Sequence, residues 1–410
     1  MALIRFTNCA LIDGIHAERR DGMEVLVEDD RIKEVSHKPI KAPKADVYNV
    51  RGRTLMPGLI DAHMHAIASM VNLGRLNEQP DSLTALEAKD ILEAMLMRGF
   101  TTVRDAGGAD AGLAAAVDRG LVKGPRMFIS GKALSQTGGH GDSRPVTLNL
   151  DTCACCQGGA TLGRIADGVS EVRRAARDEL RKGAKQIKIM ASGGVASPND
   201  PIWNLQYSEE EVRAIVEGAA HWKTYVMAHA YTAEAIKRAI DYGVRSIEHA
   251  NLIDFAVAEH ATRHGVFVVQ TLVTYEALEN EAAGLGLPPA SVAKIKDVSK
   301  SGLTALQHLK SAGTKIGFGT DLLGAMHRHQ SREFIIRSAV QTPAEIIRSA
   351  TTINAELLNM TGRLGVVAPG AYADLLVVNG NPLKNLKLLT EQGAHLAVIM
   401  KAGTFYKRAD

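Results

Sequence analysis

The chain has 410 residues, 46% of them hydrophobic, 23% charged and 4% aromatic, with a formal net charge of +3. That length allows a large core and two structural units, and the ordinary composition excludes a disordered or fibrous protein. The near-neutral charge and scarce aromatics argue against nucleic acid or an anionic membrane as a partner. The first residues, "MALIRFTNCALIDGIHAERR", lack a basic start followed by a long apolar stretch. No run approaches the ~18 apolar residues of a membrane helix, so a soluble cytoplasmic protein is expected. The four cysteines are Cys9, Cys153, Cys155 and Cys156. The "CACC" cluster lacks a second pair at finger-like spacing and is read as reduced thiols in a loop.

In chain order, "LIRFTNCALID" and "MEVLVEDDRIKEVS" are β-rich and separated by a polar stretch with Gly22. "DVYNVRGRTLMPG" follows. A different rhythm then begins. Candidate strands are "GLIDAHMH", "TTVRDAG", "RMFISG", "AKQIKIMAS", "TYVMAHA", "RSIEHAN", "VFVVQTL" and "TKIGFGTD". Helical patterns lie between most of them, such as "SLTALEAKDILEAMLMRG" and "TAEAIKRAIDYG", several starting at a Ser, Thr or Asp cap and stopping at Gly. Eight strands with intervening helices predict an α/β fold, a (β/α)8 TIM barrel, over residues 58–357. A doubly wound sheet would usually carry a Gly-rich phosphate loop after its first strand, and "HMHAIASM" is not one. The C-terminus returns to short strands in "GAYADLLVVNGNPL" and "AVIMKAGTFYK". Residues 1–57 and 358–410 are therefore expected to meet in a small β-sandwich domain.

Active sites of such barrels sit at the C-terminal ends of the strands. The unusual polar residues fall there. His63 and His65 share one strand face, and two neutral imidazoles aimed at one point suit a metal. Lys188 lies inside the apolar strand "QIKIM"; His229, His249 and Asp321 end the fifth, sixth and eighth strands. Each has a plainer explanation: a packed strand-end histidine, an aspartate capping the next helix, a lysine paired at the surface. The set in this strand order is hard to assemble by chance.

These residues, with "LMPGLIDAHMH" at residues 55–65 and "APGAYADLLVV" at 368–378, resemble the amidohydrolase superfamily over nearly the whole chain. By that resemblance His63, His65 and Asp321 hold one metal and His229 and His249 a second. Lys188 matches the strand-4 lysine that is carboxylated to bridge two metals. Mononuclear deaminases of the superfamily place a Glu three residues after the strand-5 histidine. Here that residue is Thr232, and the nearest glutamate is Glu234. The chain thus departs from the deaminase pattern and fits a binuclear hydrolase with two divalent ions. Zinc is expected, with manganese or cobalt able to substitute.

The resemblance implies attack of a metal-bridging hydroxide on an amide carbonyl, with Asp321 moving the proton to the leaving amine. His140, in the Gly-rich "SQTGGHGDSRP", is the expected partner of the carbonyl oxygen. "TGGHGD" resembles prolidase-like dipeptidases and carboxypeptidases, including enzymes that cleave L-Xaa-L-Arg or L-Xaa-L-Lys. Tyr231 fits the position that contacts the substrate carboxylate in that branch. Arg144, Arg328 and His327 are further candidates for an anionic terminus, and Asp142 or Asp200 for a basic group. The reading is a metallopeptidase acting on dipeptides or N-acyl amino acids, of Xaa-Arg, Xaa-Lys or Xaa-Pro type. The alternatives are an imidazolonepropionase-like cyclic-amide hydrolase and a non-catalytic scaffold relative that has lost its ligands. Loops 132–168, 271–290 and 322–342 are expected to set the side-chain preference. Relatives commonly form symmetric oligomers, so a homo-oligomer is expected.

Overall fold

The computed structural model of the chain describes residues 2–144, 147, 160–197, 200–281, 284, 287 and 289–409. The Cys153, Cys155 and Cys156 cluster lies outside the described residues. Both ends of the chain build one mixed sheet. Its strands are β1 (Leu3–Leu11), β2 (Arg20–Glu28), β3 (Arg31–Ser36), β4 (Asp46–Asn49) and β5 (Thr54–Pro57) from the start of the chain. From its end come β16 (Leu375–Val378), β17 (Leu396–Lys401) and β18 (Thr404–Arg408). The order is β18-β17-β16-β5-β1-β2-β3, with β4 paired to β1. The expected two-sheet sandwich takes the form of this single sheet bending over on itself. Arg408 of β18 pairs with Asp46 of β4 at 2.7 Å, and the rings of Phe6 and Phe405 lie 6.2 Å apart. Curling lets one sheet enclose a core between its own strands, with Phe6, Val25, Leu375 and Val398 buried.

The middle of the chain forms parallel strands. β6 (Leu59–Met64), β7 (Phe100–Asp105) and β8 (Arg126–Phe128) make one sheet. β9 (Ala133–Ser135), β10 (Gly163–Ile165), β11 (Ile187–Met190), β12 (Val226–Thr232), β13 (Ser246–Leu252), β14 (Phe267–Gln270) and β15 (Lys315–Phe318) make another, ordered β10-β9-β11-β12-β13-β14-β15. All eight strands expected from the sequence are present. β9 and β10 are additional and fall within a stretch read as loop. They are three residues each, too short to show alternation, and are held by backbone bonds such as Ala133 N–H to Leu162 O at 2.8 Å. β6, β7 and β11 are buried at every position, as expected where helices cover a parallel sheet on one side.

The helices start where their caps require. Ser208 and Glu211 form a capping box at the helix Glu209–His221, and the Thr232 hydroxyl accepts from the Ala235 amide at the helix Ala233–Asp241. Hydrogen bonds also join the edges of the two parallel sheets. Lys185 N–H donates to Ile129 O at 2.8 Å on one side. On the other, the amides of Thr320 and Asp321 donate to the His63 carbonyl at 3.0 and 2.8 Å. The buried Asn354 side chain spans the same seam, donating to Ile60 O at 2.8 Å and Phe318 O at 2.9 Å while accepting from Phe318 N–H at 3.2 Å.

Asn354→Ala strands buried backbone groups on both β6 and β15, each costing about 1–3 kcal/mol. Urea unfolding of that variant should show a loss of about 2–5 kcal/mol; a change within error would remove Asn354 from the seam's support.

Candidate metal centre and active site

His63 and His65 alternate along and just past β6, so their rings share one side, with centroids 5.5 Å apart. His229 on β12 and His249 on the adjacent β13 bring their rings to 4.6 Å, and His63 and His249 lie at 4.8 Å. Asp321 follows β15 and turns its carboxylate into this group. Its Oδ1 lies 3.2 Å from His65 Nε2 and 3.5 Å from His63 Nε2, and its Oδ2 lies 3.9 Å from His249 Nδ1. The backbone is unusual at two of these residues. Asp321 has φ 50° and His249 φ 71°, left-handed values that cost a non-glycine residue on the order of 1–3 kcal/mol. Close approach also demands glycine nearby: a Cβ on Gly319 would sit 2.7 Å from the His63 Cβ.

Most of these rings have one nitrogen held from behind. His65 Nδ1 donates to Gly107 O at 2.9 Å, and His229 Nε2 donates to Gly193 O at 3.2 Å. His63 Nδ1 meets Glu248 Oε2 at 2.7 Å, and His249 Nδ1 meets the Thr271 hydroxyl at 2.9 Å. Glu248 is fully buried. Burial alone would raise its carboxyl, but Arg104 and then His63 bring it down to about 2. It is therefore an acceptor only, and His63 carries its proton on Nδ1. Arg104 reaches both Glu248 oxygens at 2.9 Å from one nitrogen.

Burial pushes His229 and His249 well below the ordinary histidine value, and neighbouring cationic groups push both the same way. Burial acts to raise the Asp321 carboxyl, yet the surrounding histidines hold it well below its usual range. Burial lowers the Lys188 amine to about 8. Neutral imidazoles beside an ionised carboxylate are the forms in which these groups bind a divalent cation. Ligand atoms of His63, His249 and Asp321 lie within 4.8 Å of one another, so this donor set fits a metal ion.

The group forms the floor of a cavity of about 400 Å³. All the ligand candidates line it, as do His140, Asp142, Arg144 and Tyr231. His140 stacks on His229, with centroids 4.4 Å apart and planes at 20°. The loop after β11 passes so closely that a Cβ on Gly194 would lie 2.2 Å from the His140 ring. Asp200 accepts from His140 Nδ1 at 3.2 Å and from Gly194 N–H at 3.0 Å. The Tyr231 hydroxyl bonds that of Tyr275 at 2.7 Å. Asp142 and Arg144 form a two-pronged pair at 2.8 and 2.6 Å, each occupying the charge of the other. Arg328 pairs with Glu281 at 2.6 Å and His327 bonds Ala68 O at 3.1 Å; neither lines the cavity.

Arg104, Glu248, Thr271 and Tyr275 were not singled out in the sequence. Arg104 and Glu248 carried the signal that marked Lys188, a charge inside an otherwise apolar strand, in "TTVRDAG" and "SIEHAN". Tyr275 lies on the helix Leu272–Glu281 after β14, and nothing local distinguishes it.

Zn2+ added to metal-free protein at a hundredfold excess over its dissociation constant should raise the unfolding free energy by about 2.7 kcal/mol. A thermal-shift titration checks this, and His63→Ala or Asp321→Ala should reduce the shift.

Residues 54–404 match the model of the amidohydrolase family. The chain is 37% identical to ochratoxinase of Aspergillus niger over 369 residues, 86% of this chain and 75% of that protein. It is 25% identical to imidazolonepropionase of Deinococcus radiodurans over 406 residues, 92% of this chain and 90% of the relative. It superposes on a crystal structure of a prolidase complexed with N-methylphosphonate-L-proline with a TM-score of 0.97, at 52% identity, covering 99% of this chain and 100% of that one. With its histidines and aspartate converging at the ends of parallel strands, the chain belongs to the amidohydrolase family.

Proposed function

We propose that this protein is a binuclear metallo-hydrolase that cleaves the amide bond of dipeptides or N-acyl amino acids. Its parallel strands are read as one (β/α)8 barrel spanning residues 58–357, with residues 1–57 and 358–410 as the accompanying β domain. The observation that carries the proposal is the convergence of His63, His65, His229, His249, Lys188 and Asp321 on one cavity floor, with His140 and Tyr231 beside it. His63, His65 and Asp321 would hold one metal and His229 and His249 the other. Lys188 in its neutral form would add CO2 at the amine with loss of a proton, and the carbamate would offer anionic oxygens to the bound ions. Bound divalent ions, zinc by preference for this donor set, would supply ionised water near neutral pH and polarise the carbonyl.

The chain's own residues do the rest. Attack of water on the amide carbon releases a proton, which Asp321 takes up and returns to the leaving nitrogen. His140 has Nδ1 engaged by Asp200, so Nε2 is the atom left for the carbonyl oxygen, and it would donate there in the form that carries a proton on both ring nitrogens. Of the two hydrogen-bonded phenols, one proton is used between them, and the other is available to a substrate carboxylate. Beyond the tyrosines the wall is apolar, with Leu278, Leu323 and Leu162. Among the described residues Asp142 is engaged by Arg144 and Asp200 by His140, which favours proline or another apolar C-terminal residue over arginine or lysine. Similarity to a prolidase crystallised with a proline phosphonate supports the same choice. Ring opening of a cyclic amide is the second reading, favoured by the similarity to imidazolonepropionase.

Zinc-loaded enzyme tested by ninhydrin on Xaa-Pro, Xaa-Arg, Xaa-Lys and N-acyl amino acids should release amino acid, with apolar C-terminal residues preferred. Absence of release from all of them, together with opening of a cyclic amide, would reverse the order of the two readings. Asp321→Asn should retain metal by elemental analysis and lose about 100-fold or more in kcat. Tyr231→Phe should raise KM about tenfold while kcat changes little, the cost of one hydrogen bond to a charged group.

A further inference from the structure

The histidines of the site differ in what stands behind them. His65 and His229 donate to the neutral carbonyls of Gly107 and Gly193, at 2.9 and 3.2 Å. His249 meets the Thr271 hydroxyl at 2.9 Å. Of the four candidate ligand histidines, only His63 is backed by a carboxylate, Glu248, at 2.7 Å. A charged acceptor makes a shorter and stronger hydrogen bond than a neutral one, and it raises the basicity of the opposite ring nitrogen.

Glu248 is placed to do this and nothing else. Ser246 Oγ donates to its Oε1 at 2.6 Å, which leaves Oε2 for His63. Arg104 bonds both oxygens at 2.9 Å and is itself anchored by Ala62 O at 2.5 Å and Ser246 Oγ at 3.2 Å. Arg104 and Glu248 are both 0% exposed. The carboxylate therefore cannot rotate away from His63, and the ring is held with Nε2 toward Asp321.

We propose that Glu248, fixed by Arg104, is a positioning residue that makes the His63–His65–Asp321 half the tighter of the two metal positions, so that this half fills first. The proposal rests on the two-metal reading above. It assigns Thr271 the weaker, parallel role behind His249.

Metal-free full-length protein titrated with Zn2+ against a chromophoric chelator should bind two equivalents in two steps. Glu248→Gln should weaken the first step about 10- to 100-fold and leave the second unchanged. Thr271→Val should weaken the second and spare the first. A merely structural role for Glu248 would weaken both steps together, which would overturn the inference, as would two equal steps in the wild-type protein. A single equivalent at saturation would instead overturn the two-metal reading itself. A second measurement needs no variant: nitrogen-15 spectra of histidine-labelled, metal-free protein should show His63 protonated on Nδ1, and one equivalent of diamagnetic Zn2+ should shift the ligating nitrogens of His63 and His65 before that of His229. The opposite tautomer, or shifts that begin at His229, would overturn the inference.

Discussion

A carboxylate with no exposure to water is tolerable only if its charge is met, and in this protein Arg104 meets the charge of Glu248. Removing two such ions from water costs several kcal/mol each, and mutual attraction recovers that only with well-made geometry and further hydrogen bonds. Both conditions are present: Arg104 reaches both carboxylate oxygens, and Ser246 and the Ala62 carbonyl take remaining donors and acceptors. An apolar pair of similar volume would fill the same space at lower cost. What the ionic pair adds is direction, because it presents one fixed acceptor to His63.

The constraint extends into the backbone. The His63 carbonyl accepts the amides of Thr320 and Asp321, so the residue whose ring faces the cavity also shapes the turn that delivers the carboxylate. That turn holds Asp321 at positive φ, and the end of β13 holds His249 and Ala250 there as well. Such conformations persist only where surrounding contacts over-determine them. Asn354, Gly319 and the paired strand ends are those contacts. The floor of the cavity is thus made from strands and the turn after β15, while His140, Asp142 and Arg144 reach the cavity from the loop after β9 and Tyr231 from β12.

Those loops are stitched to one another. Asp200 joins the segment after β11 to His140, and Lys294 Nζ donates to the carbonyls of Gly194, Ser197 and Asp200 from the helix Pro289–Ser299. Tyr231 near the end of β12 and Tyr275 on the helix Leu272–Glu281 bond across 2.7 Å. The cavity therefore combines a polar floor with walls that are apolar on the tyrosine side.

Much of this was legible in the residues themselves. Strand and helix rhythm, cap residues and Gly punctuation marked eight of the ten parallel strands, and the polar residues near their ends were visible because alternation depends only on neighbours in sequence. β9 and β10 were not legible, because three residues carry no period. Asp142 and Arg144 were legible as charges, but not as partners of each other. The sequence by itself determined eight of the parallel strands, their order and the residue types at their ends. Only the tertiary structure decided that Arg104 would answer Glu248, 144 residues away, that Tyr275 would meet Tyr231, and that Asp200 would hold His140. Those pairings follow from how the strands and loops pack against one another in space, and packing is not a property of any local stretch.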